Sequence, residues 1–214
     1  MGNLWGNISW GGFQEKEQEE DVSTNEKKSH RRRTAIYKKT LKYEYRQAFS
    51  EMKLLDLMKE FRFKKGTSYN FITGGDINSL SFLKCILRTQ DLDYCLASTW
   101  CMAAEDILQF KEWIEEGKIK KLDLYLGEIF ASSYRVEYEM VKRLYSEYPN
   151  LGRFATFRNH SKIYAGTGQL FSFGIQSSAN INTNPRTEQS CIVIDDGIYN
   201  FYKDYFDGIK SFNE

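Results

Sequence analysis

The chain is poor in the residues that build metal sites and disulfide frameworks, and it lacks long hydrophobic runs. Its 214 residues include four cysteines, two histidines and two prolines. No two cysteines have C-x-x-C spacing, and three of the four lie in segments with a core-like pattern, so we expect buried free thiols. No apolar stretch has the length of a membrane span or a signal peptide. These absences predict a soluble, cytoplasmic protein that uses no metal or other cofactor and makes no membrane contact.

Charge is unevenly distributed, although the formal net charge is only +1. Residues 27–65 contain 14 basic and 4 acidic side chains, whereas residues 15–26 contain six acids and one lysine. The rest of the chain is mildly acidic. This distribution predicts a polarised arm on a near-neutral domain. Its basic clusters Arg31-Arg32-Arg33 and Lys38-Lys39 are suited to nucleic acid, whose phosphates release counterions when lysine and arginine bind, or alternatively to an acidic protein partner.

Composition divides the chain into three segments. Residues 1–34 have few apolar groups after a short Gly, Asn and Trp-rich start, which indicates a flexible charged tail that could bind a protein partner. In residues 35–65 apolar side chains recur at spacings of three and four, which predicts a basic amphipathic helix from about 35 to 63. Residues 66–214 alternate between strand-like and helix-like patterns and form the predicted domain.

The alternation in residues 66–214 predicts an α/β fold. The expected strands are 68–73, 94–100, 122–129, 153–158, 162–165, 170–175 and 190–194. The expected helices end near 89, 117 and 148, and a last one spans 199–212. Long crossovers join the first strands and short turns join the later ones, so we expect a mixed, mostly parallel sheet flanked by helices.

One histidine is placed for chemistry. His160 and Lys162 lie two residues apart at the start of an expected strand, and such residues project to the same face. An imidazole beside an ammonium suits a phosphate, because the cation holds the oxygens while the imidazole attacks phosphorus or carries a proton. Two exposed surface side chains would give the same pattern. The polar turn Ser177-Ser178-Ala179-Asn180 and Glu188 downstream favour a site.

The order H-x-K, S-x-N and a glutamate before a strand resembles the phospholipase D superfamily over residues 66–214. The likeness continues through Cys191–Asp195 into the last helix. Thr167 occupies the position of the aspartate that follows the H-x-K in this family, which members that cleave tyrosyl–DNA links also lack. The resemblance implies a phospholipase D-like fold for the domain.

The resemblance also implies roles for individual residues. In the family one histidine forms a covalent phosphohistidine and a second histidine protonates the leaving group, so His160 is the expected nucleophile or acid. Lys162, Ser178 and Asn180 are the expected ligands of the phosphoryl oxygens. Ser177 and Thr167 are expected to line the same site, and Glu188 is expected to orient a histidine.

The second histidine is missing from the domain, because His30 lies in the charged tail. A homodimer would bring two copies of His160 to one phosphate, and small single-motif relatives are nucleases built in this way. The expected function is therefore a metal-independent phosphodiesterase acting on DNA or RNA. Two alternatives remain open: a non-catalytic module that binds nucleic acid or an assembly partner, and a lipid enzyme, which the missing signal peptide and the basic arm disfavour.

Overall fold

The computed structural model describes residues 42–59, 62–181 and 187–212, all of which belong to one compact unit, Ala35–Glu214. The described strands are β1 (Lys42–Ser50), β2 (Thr67–Asp76), β3 (Leu92–Thr99), β4 (Leu122–Gly127), β5 (Phe154–Phe157), β6 (Ile163–Gly168), β7 (Ser172–Ser177) and β8 (Glu188–Ile194). The described helices are α1 (Glu51–Lys59), α2 (Leu80–Leu87), α3 (Ala104–Glu115), α4 (Phe130–Ser133), α5 (Arg135–Glu147) and α6 (Asp196–Asp207).

The described strands form one mixed sheet in the order β1-β2-β8-β7-β6-β3-β4-β5. β1 and β2 are parallel, as are β3, β4 and β5, whereas the four ladders between β2 and β3 are antiparallel. Six strands therefore run in one direction, and β6 and β8 run against them. The predicted mixed α/β sheet with flanking helices is confirmed, and most of its strands share one direction even though parallel ladders are the minority.

Apolar residues cover both faces of the sheet because successive side chains of a strand point to opposite sides. Helices α2, α3 and α5 pack on one face over residues such as Leu124 and Ile175. Helix α6 packs on the other face, where Ile198, Tyr202 and Phe206 are buried. Burying a large apolar side chain contributes roughly 1.5–3 kcal/mol, so these three anchor α6 firmly.

Local signals explain where several helices begin and end. The Asp195 carboxylate accepts a hydrogen bond from the Gly197 amide at 2.8 Å and caps the start of α6. At the end of α3, Gly117 has φ of +74°, a conformation that glycine adopts without strain, as the sequence predicted. The Asn78 side chain accepts a hydrogen bond from the Ser81 amide at 3.1 Å, close to the predicted start of α2.

The helix predicted over residues 35–63 was wrong for Lys42–Ser50, which form strand β1 beside β2. The first five residues of KYEYRQAFS alternate charged and aromatic side chains, and aromatic residues favour strands. The apolar spacing of three and four overlapped with this two-residue alternation. Only Glu51–Lys59 form the expected helix, as α1. This described part of the segment is thus joined to the sheet and is not a separate arm.

Several sequence predictions concern residues outside the described ranges. These are the tail 1–34 and the basic side chains Arg31, Arg32, Arg33, Lys38 and Lys39. Among the described residues, no helix is both long enough and apolar enough to cross a bilayer.

Candidate functional site

The candidate site lies at the sheet edge where the six co-directional strands end. The two opposed strands, β6 and β8, begin at this edge, which brings their first residues beside the last residues of β2, β3 and β7. His160 and Lys162 directly precede β6, Ser177 ends β7, and Glu188 begins β8. The carboxyl ends of strands are where α/β sheets commonly bind ligands.

The structure brings His160 and Lys162 into contact, as their spacing predicted. The Lys162 ammonium lies 3.0 Å from His160 Nδ1 and donates a hydrogen bond to the His160 carbonyl at 2.8 Å. His160 is exposed, whereas Lys162 is only 7% exposed. Burial lowers the pKa of Lys162 below its usual value, and the Glu188 carboxylate nearby partly opposes that shift.

This contact couples the tautomer of the imidazole to the charge of the lysine. A charged Lys162 has only donors, so Nδ1 must accept and the proton of a neutral imidazole must sit on Nε2. A neutral Lys162 can instead accept from a protonated Nδ1, which leaves the Nε2 lone pair free. Nε2 has no hydrogen-bond partner among the described residues. In the first state Nε2 can donate its proton while the ammonium passes one to Nδ1, and in the second state Nε2 can act as a nucleophile.

Asn159 fixes the turn that carries His160. This side chain is 6% exposed, and its Nδ2 group contacts Ser98 Oγ at 3.0 Å, the Thr99 carbonyl at 3.2 Å and the Tyr125 carbonyl at 2.9 Å. Its Oδ1 accepts hydrogen bonds from the Ser161 amide at 3.0 Å and the Ser161 hydroxyl at 2.7 Å. Residues on both sides of His160 are thus tied to strands β3 and β4.

An open cavity of about 480 Å³ adjoins the His–Lys pair. It is lined by His160, Ser161, Lys162, Ile163, Gln176, Ser177, Ser178 and Tyr202. The Gln176 amide donates a hydrogen bond to the Tyr202 hydroxyl, which joins β7 to α6 along one wall. A phosphodiester could enter this cavity from solvent and meet both the imidazole and the ammonium.

Ser177 and Ser178 line the cavity as predicted, but their hydroxyl groups already have protein partners. Ser177 Oγ lies 2.8 Å from Ser190 Oγ and accepts a hydrogen bond from the Ala179 amide at 3.1 Å. Ser178 Oγ donates to the Glu188 carboxylate and accepts from the Gln189 amide at 3.0 Å. Both serines therefore brace the β7–β8 connection and offer few free donors to an anion.

Glu188 contacts Ser178 and not His160. Its carboxylate accepts the Ser178 hydroxyl hydrogen, and its influence on the site is the charge that it places near Lys162. The structure therefore does not show the predicted Glu–His contact. Strands β7 and β8 are antiparallel neighbours, so the end of β7 lies beside the start of β8. Ser178 therefore lies next to Glu188 and Gln189.

Asn180 carries an unusual polar atom. Its Oδ1 is buried and has no hydrogen-bond partner among the described residues. Its backbone carbonyl accepts a hydrogen bond from the Ser79 amide at 3.2 Å. The next residue, Ile181, forms an isolated β-bridge with Met102, three residues after the end of β3. A buried acceptor without a donor costs free energy, on the order of 1–3 kcal/mol, and such groups are often reserved for a ligand or partner.

Thr167 does not reach the cavity. It lies near the far end of β6, pairs with Ser172 in the β6–β7 ladder, and its hydroxyl lies 3.0 Å from that of Ser172. It lies five positions after Lys162, which corresponds to about 16 Å along a strand. The expected substrate contact of Thr167 is therefore not seen.

Sequence reasoning gave no role to four residues that shape this edge: Asn159, Trp100, Gln176 and Tyr202. Asn159 stood next to His160 in the motif, but its three partners lie 34 to 61 positions earlier in the chain. Trp100 and Gln176 both come after the apolar part of a strand. Their position at the carboxyl end of a strand is a signal that could have identified them as site residues. Tyr202 belongs to the apolar stripe of α6, so the sequence pattern assigned it to the core.

The described part of the chain has no group of three His, Cys, Asp or Glu side chains arranged to hold a metal ion.

Replacing Lys162 with methionine should keep or raise stability while removing the site's cation. A buried ammonium is costly, and a methionine of similar length fills the same space, so we expect the free energy of unfolding near pH 7 to rise by about 0–1 kcal/mol. Because burial lowers the pKa of Lys162, protonation destabilises the folded state. The difference should therefore shrink as the pH rises through the folded pKa towards the usual lysine pKa of about 10.4.

Urea denaturation at pH 7 and pH 10 measures this effect, with Lys142→Met on the exposed face of α5 as the matched control. A Lys162→Met protein that is less stable than the parent by more than about 1 kcal/mol would show that the ammonium stabilises the fold.

Comparisons with known proteins agree with the fold. No protein-family model matches the chain, and no curated protein matches it. Among solved structures, the crystal structure of polyphosphate kinase from Porphyromonas gingivalis is similar, with a TM-score of 0.51 and 11% sequence identity. The similarity covers 75% of this chain and 28% of the polyphosphate kinase chain, so this protein spans just over a quarter of that enzyme's length. At this identity the likeness concerns the fold alone. The described residues thus share the fold of the matched part of that structure.

Proposed function

We propose that this protein is a metal-independent phosphodiesterase, and specifically a nuclease, that works through a phosphohistidine on His160. The observation that carries the proposal is the contact between the exposed His160 imidazole and the desolvated Lys162 ammonium at the mouth of an open cavity. A buried cation next to an exposed imidazole is costly for stability and useful for binding a phosphate.

In the first step, His160 Nε2 attacks phosphorus while its Nδ1 carries the proton. A nitrogen–phosphorus bond forms, and the bond from phosphorus to the leaving oxygen breaks. The leaving oxygen takes the Nε2 proton of the partner subunit's His160, which is in the other tautomer. That imidazole stays neutral because its Nδ1 takes a proton from the charged lysine beside it. As the nitrogen–phosphorus bond forms, the Nδ1 proton of the attacking His160 passes to Lys162 of the same subunit. The ammonium formed in this way neutralises the negative charge on the non-bridging oxygens.

In the second step, water attacks the phosphohistidine. The partner subunit's His160, now without its Nε2 proton, accepts a proton from that water. The nitrogen–phosphorus bond breaks, a phosphomonoester leaves, and both imidazoles return to their starting states. The same pair of groups thus acts as acid in one step and base in the next.

A homodimer is proposed because this chemistry needs two imidazoles. His160 is the one histidine in the described ranges, and two-fold symmetry supplies the second copy. The buried, unpartnered Asn180 Oδ1 is an acceptor that a donor group of a partner chain could satisfy.

Nucleic acid is the proposed substrate because of the basic excess in residues 27–65, which favours a polyanion. The second candidate function is a non-catalytic module that binds nucleic acid or an assembly partner, in which residues 1–34 act as the adaptor. The Ser178–Glu188 bond favours this alternative, since the carboxylate is then not available to orient the imidazole.

Cleavage assays in EDTA separate the two functions. We expect the purified protein to cleave labelled single-stranded DNA or RNA, or bis(p-nitrophenyl) phosphate, at a rate that excess EDTA does not lower. Light scattering after size exclusion should give twice the chain mass. An activity that requires a divalent ion, or an active species that is strictly monomeric, would contradict the mechanism. Binding without cleavage would support the non-catalytic module.

A further inference from the structure

A tryptophan stands beside the His–Lys pair. Trp100 directly follows β3 at the same sheet edge and is half-buried. The centroid of its ring lies 5.4 Å from that of His160, and the two ring planes are tilted by 49°. His160 lines the cavity and contacts Trp100, whereas Trp100 itself is not one of the lining residues.

The backbone around Trp100 holds the indole in place. The Thr99 hydroxyl donates to the Cys101 carbonyl at 2.8 Å and fixes the turn on both sides of Trp100. Gly127, at the end of β4, provides the room for it: a Cβ at this position would lie 2.6 Å from Trp100 Cδ1 and 2.7 Å from the Trp100 carbonyl oxygen. The indole therefore approaches the β4 backbone more closely than any residue with a side chain at position 127 would allow.

The geometry points to a binding role for the indole. Trp100 packs against the core, is only partly buried and has its ring beside that of His160. A phosphodiester with phosphorus at His160 Nε2 has two ester substituents. When one lies in the cavity, the other can extend along the imidazole towards Trp100. An indole in that position offers a flat apolar surface to a planar ring, and base–aromatic stacking is tolerant of sequence because every base has a π-face.

We propose that Trp100 stacks against the nucleobase next to the phosphodiester held at His160, so that the preferred substrate is single-stranded nucleic acid. This inference rests on the proposed function and adds the substrate class. Single strands are required because a base within a duplex already has both faces stacked on its neighbours.

Two variants and two substrates test the inference. Trp100→Leu keeps an apolar side chain without a ring, and Trp100→Phe keeps an aromatic face. The substrates are a short single-stranded oligonucleotide and the same backbone with abasic residues around the scissile phosphate. For Trp100→Leu we expect kcat/KM to fall roughly 10- to 100-fold on the base-bearing strand and to change less than about twofold on the abasic strand. Trp100→Phe should retain most of the activity on both.

An equal loss on both substrates would overturn the inference, because it would mean that Trp100 only positions His160. A preference of the parent protein for duplex over single strands would overturn it as well. If the parent protein cleaves none of these substrates, the proposed function fails and tryptophan fluorescence decides the inference separately. Quenching by the base-bearing strand that disappears in Trp100→Phe would support stacking, and equal quenching in both proteins would refute it.

Discussion

Replacement of His160 by asparagine is expected to abolish phosphodiester cleavage, with a fall in kcat/KM of more than about 10⁴-fold in EDTA. The expected loss is large because the same imidazole would act as nucleophile in one subunit and as acid in the other. Stability should hardly change, since His160 is exposed and, among the described residues, its ring is hydrogen-bonded to Lys162 and in ring contact with Trp100. Cleavage rates and thermal melting of the two proteins measure both effects. Lys142→Gln, on the outer face of α5, is the control for a surface substitution.

Mixed dimers test the shared site directly. A dimer of one parent subunit and one His160→Asn subunit has a single imidazole and should be inactive. Random pairing of equal amounts therefore leaves about one quarter of the dimers active. A mixture that retains half of the parent activity would show that each subunit works alone and would refute the composite site. A protein adduct of one phosphoryl group that is stable in base and labile in acid, and is absent from His160→Asn, would identify the intermediate.

Much of the fold could be predicted because each buried strand is a short apolar run bounded by polar turns. Strands β3 and β4 and helices α3 and α5 lie close to their predicted positions. Strand β1 was missed because its alternation also fits a helical spacing. The insertion of β8 between β2 and β7 could not be predicted, since it pairs residues more than 110 positions apart through contacts that no local pattern encodes.

In the candidate site, too, contacts between residues close in sequence could be predicted, whereas contacts that depend on strand pairing could not. The His160–Lys162 contact followed from a spacing of two residues and was predicted. The partner of Glu188 depended on how β7 and β8 meet at the sheet edge, so a motif alone could not choose between Ser178 and His160. Family resemblance supplied Thr167 as a site residue, whereas the length of β6 places it at the far end of the strand. Motif order is therefore a good guide to which edge carries the site and a poor guide to individual contacts.

Asn159 should be far more important for stability than its position in a turn suggests. Asn159→Ala would leave the Thr99 and Tyr125 carbonyls without this donor and would remove the acceptor of the Ser161 amide. Each buried polar group left unpaired costs about 1–3 kcal/mol, so we expect the free energy of unfolding to fall by about 3–5 kcal/mol. Urea denaturation measures this loss, and Asn150→Ala on an exposed turn should change stability by less than about 0.5 kcal/mol.

Asn159→Asp separates the loss of the two donors from the loss of volume. The aspartate has the same shape, but its charged form would face the Ser98 hydroxyl oxygen and the two carbonyl oxygens that Nδ2 now contacts. Its folded pKa should therefore be raised above the usual value of about 3.9. A raised acid pKa means that the folded state gains stability as the pH falls and loses it as the pH rises through that pKa. We expect Asn159→Asp to be at least as unstable as Asn159→Ala at pH 7 and more stable than Asn159→Ala at pH 4.5. A deficit that is the same at both pH values would show that the aspartate escapes to solvent, and that this buried network does not determine the conformation of the His160 turn.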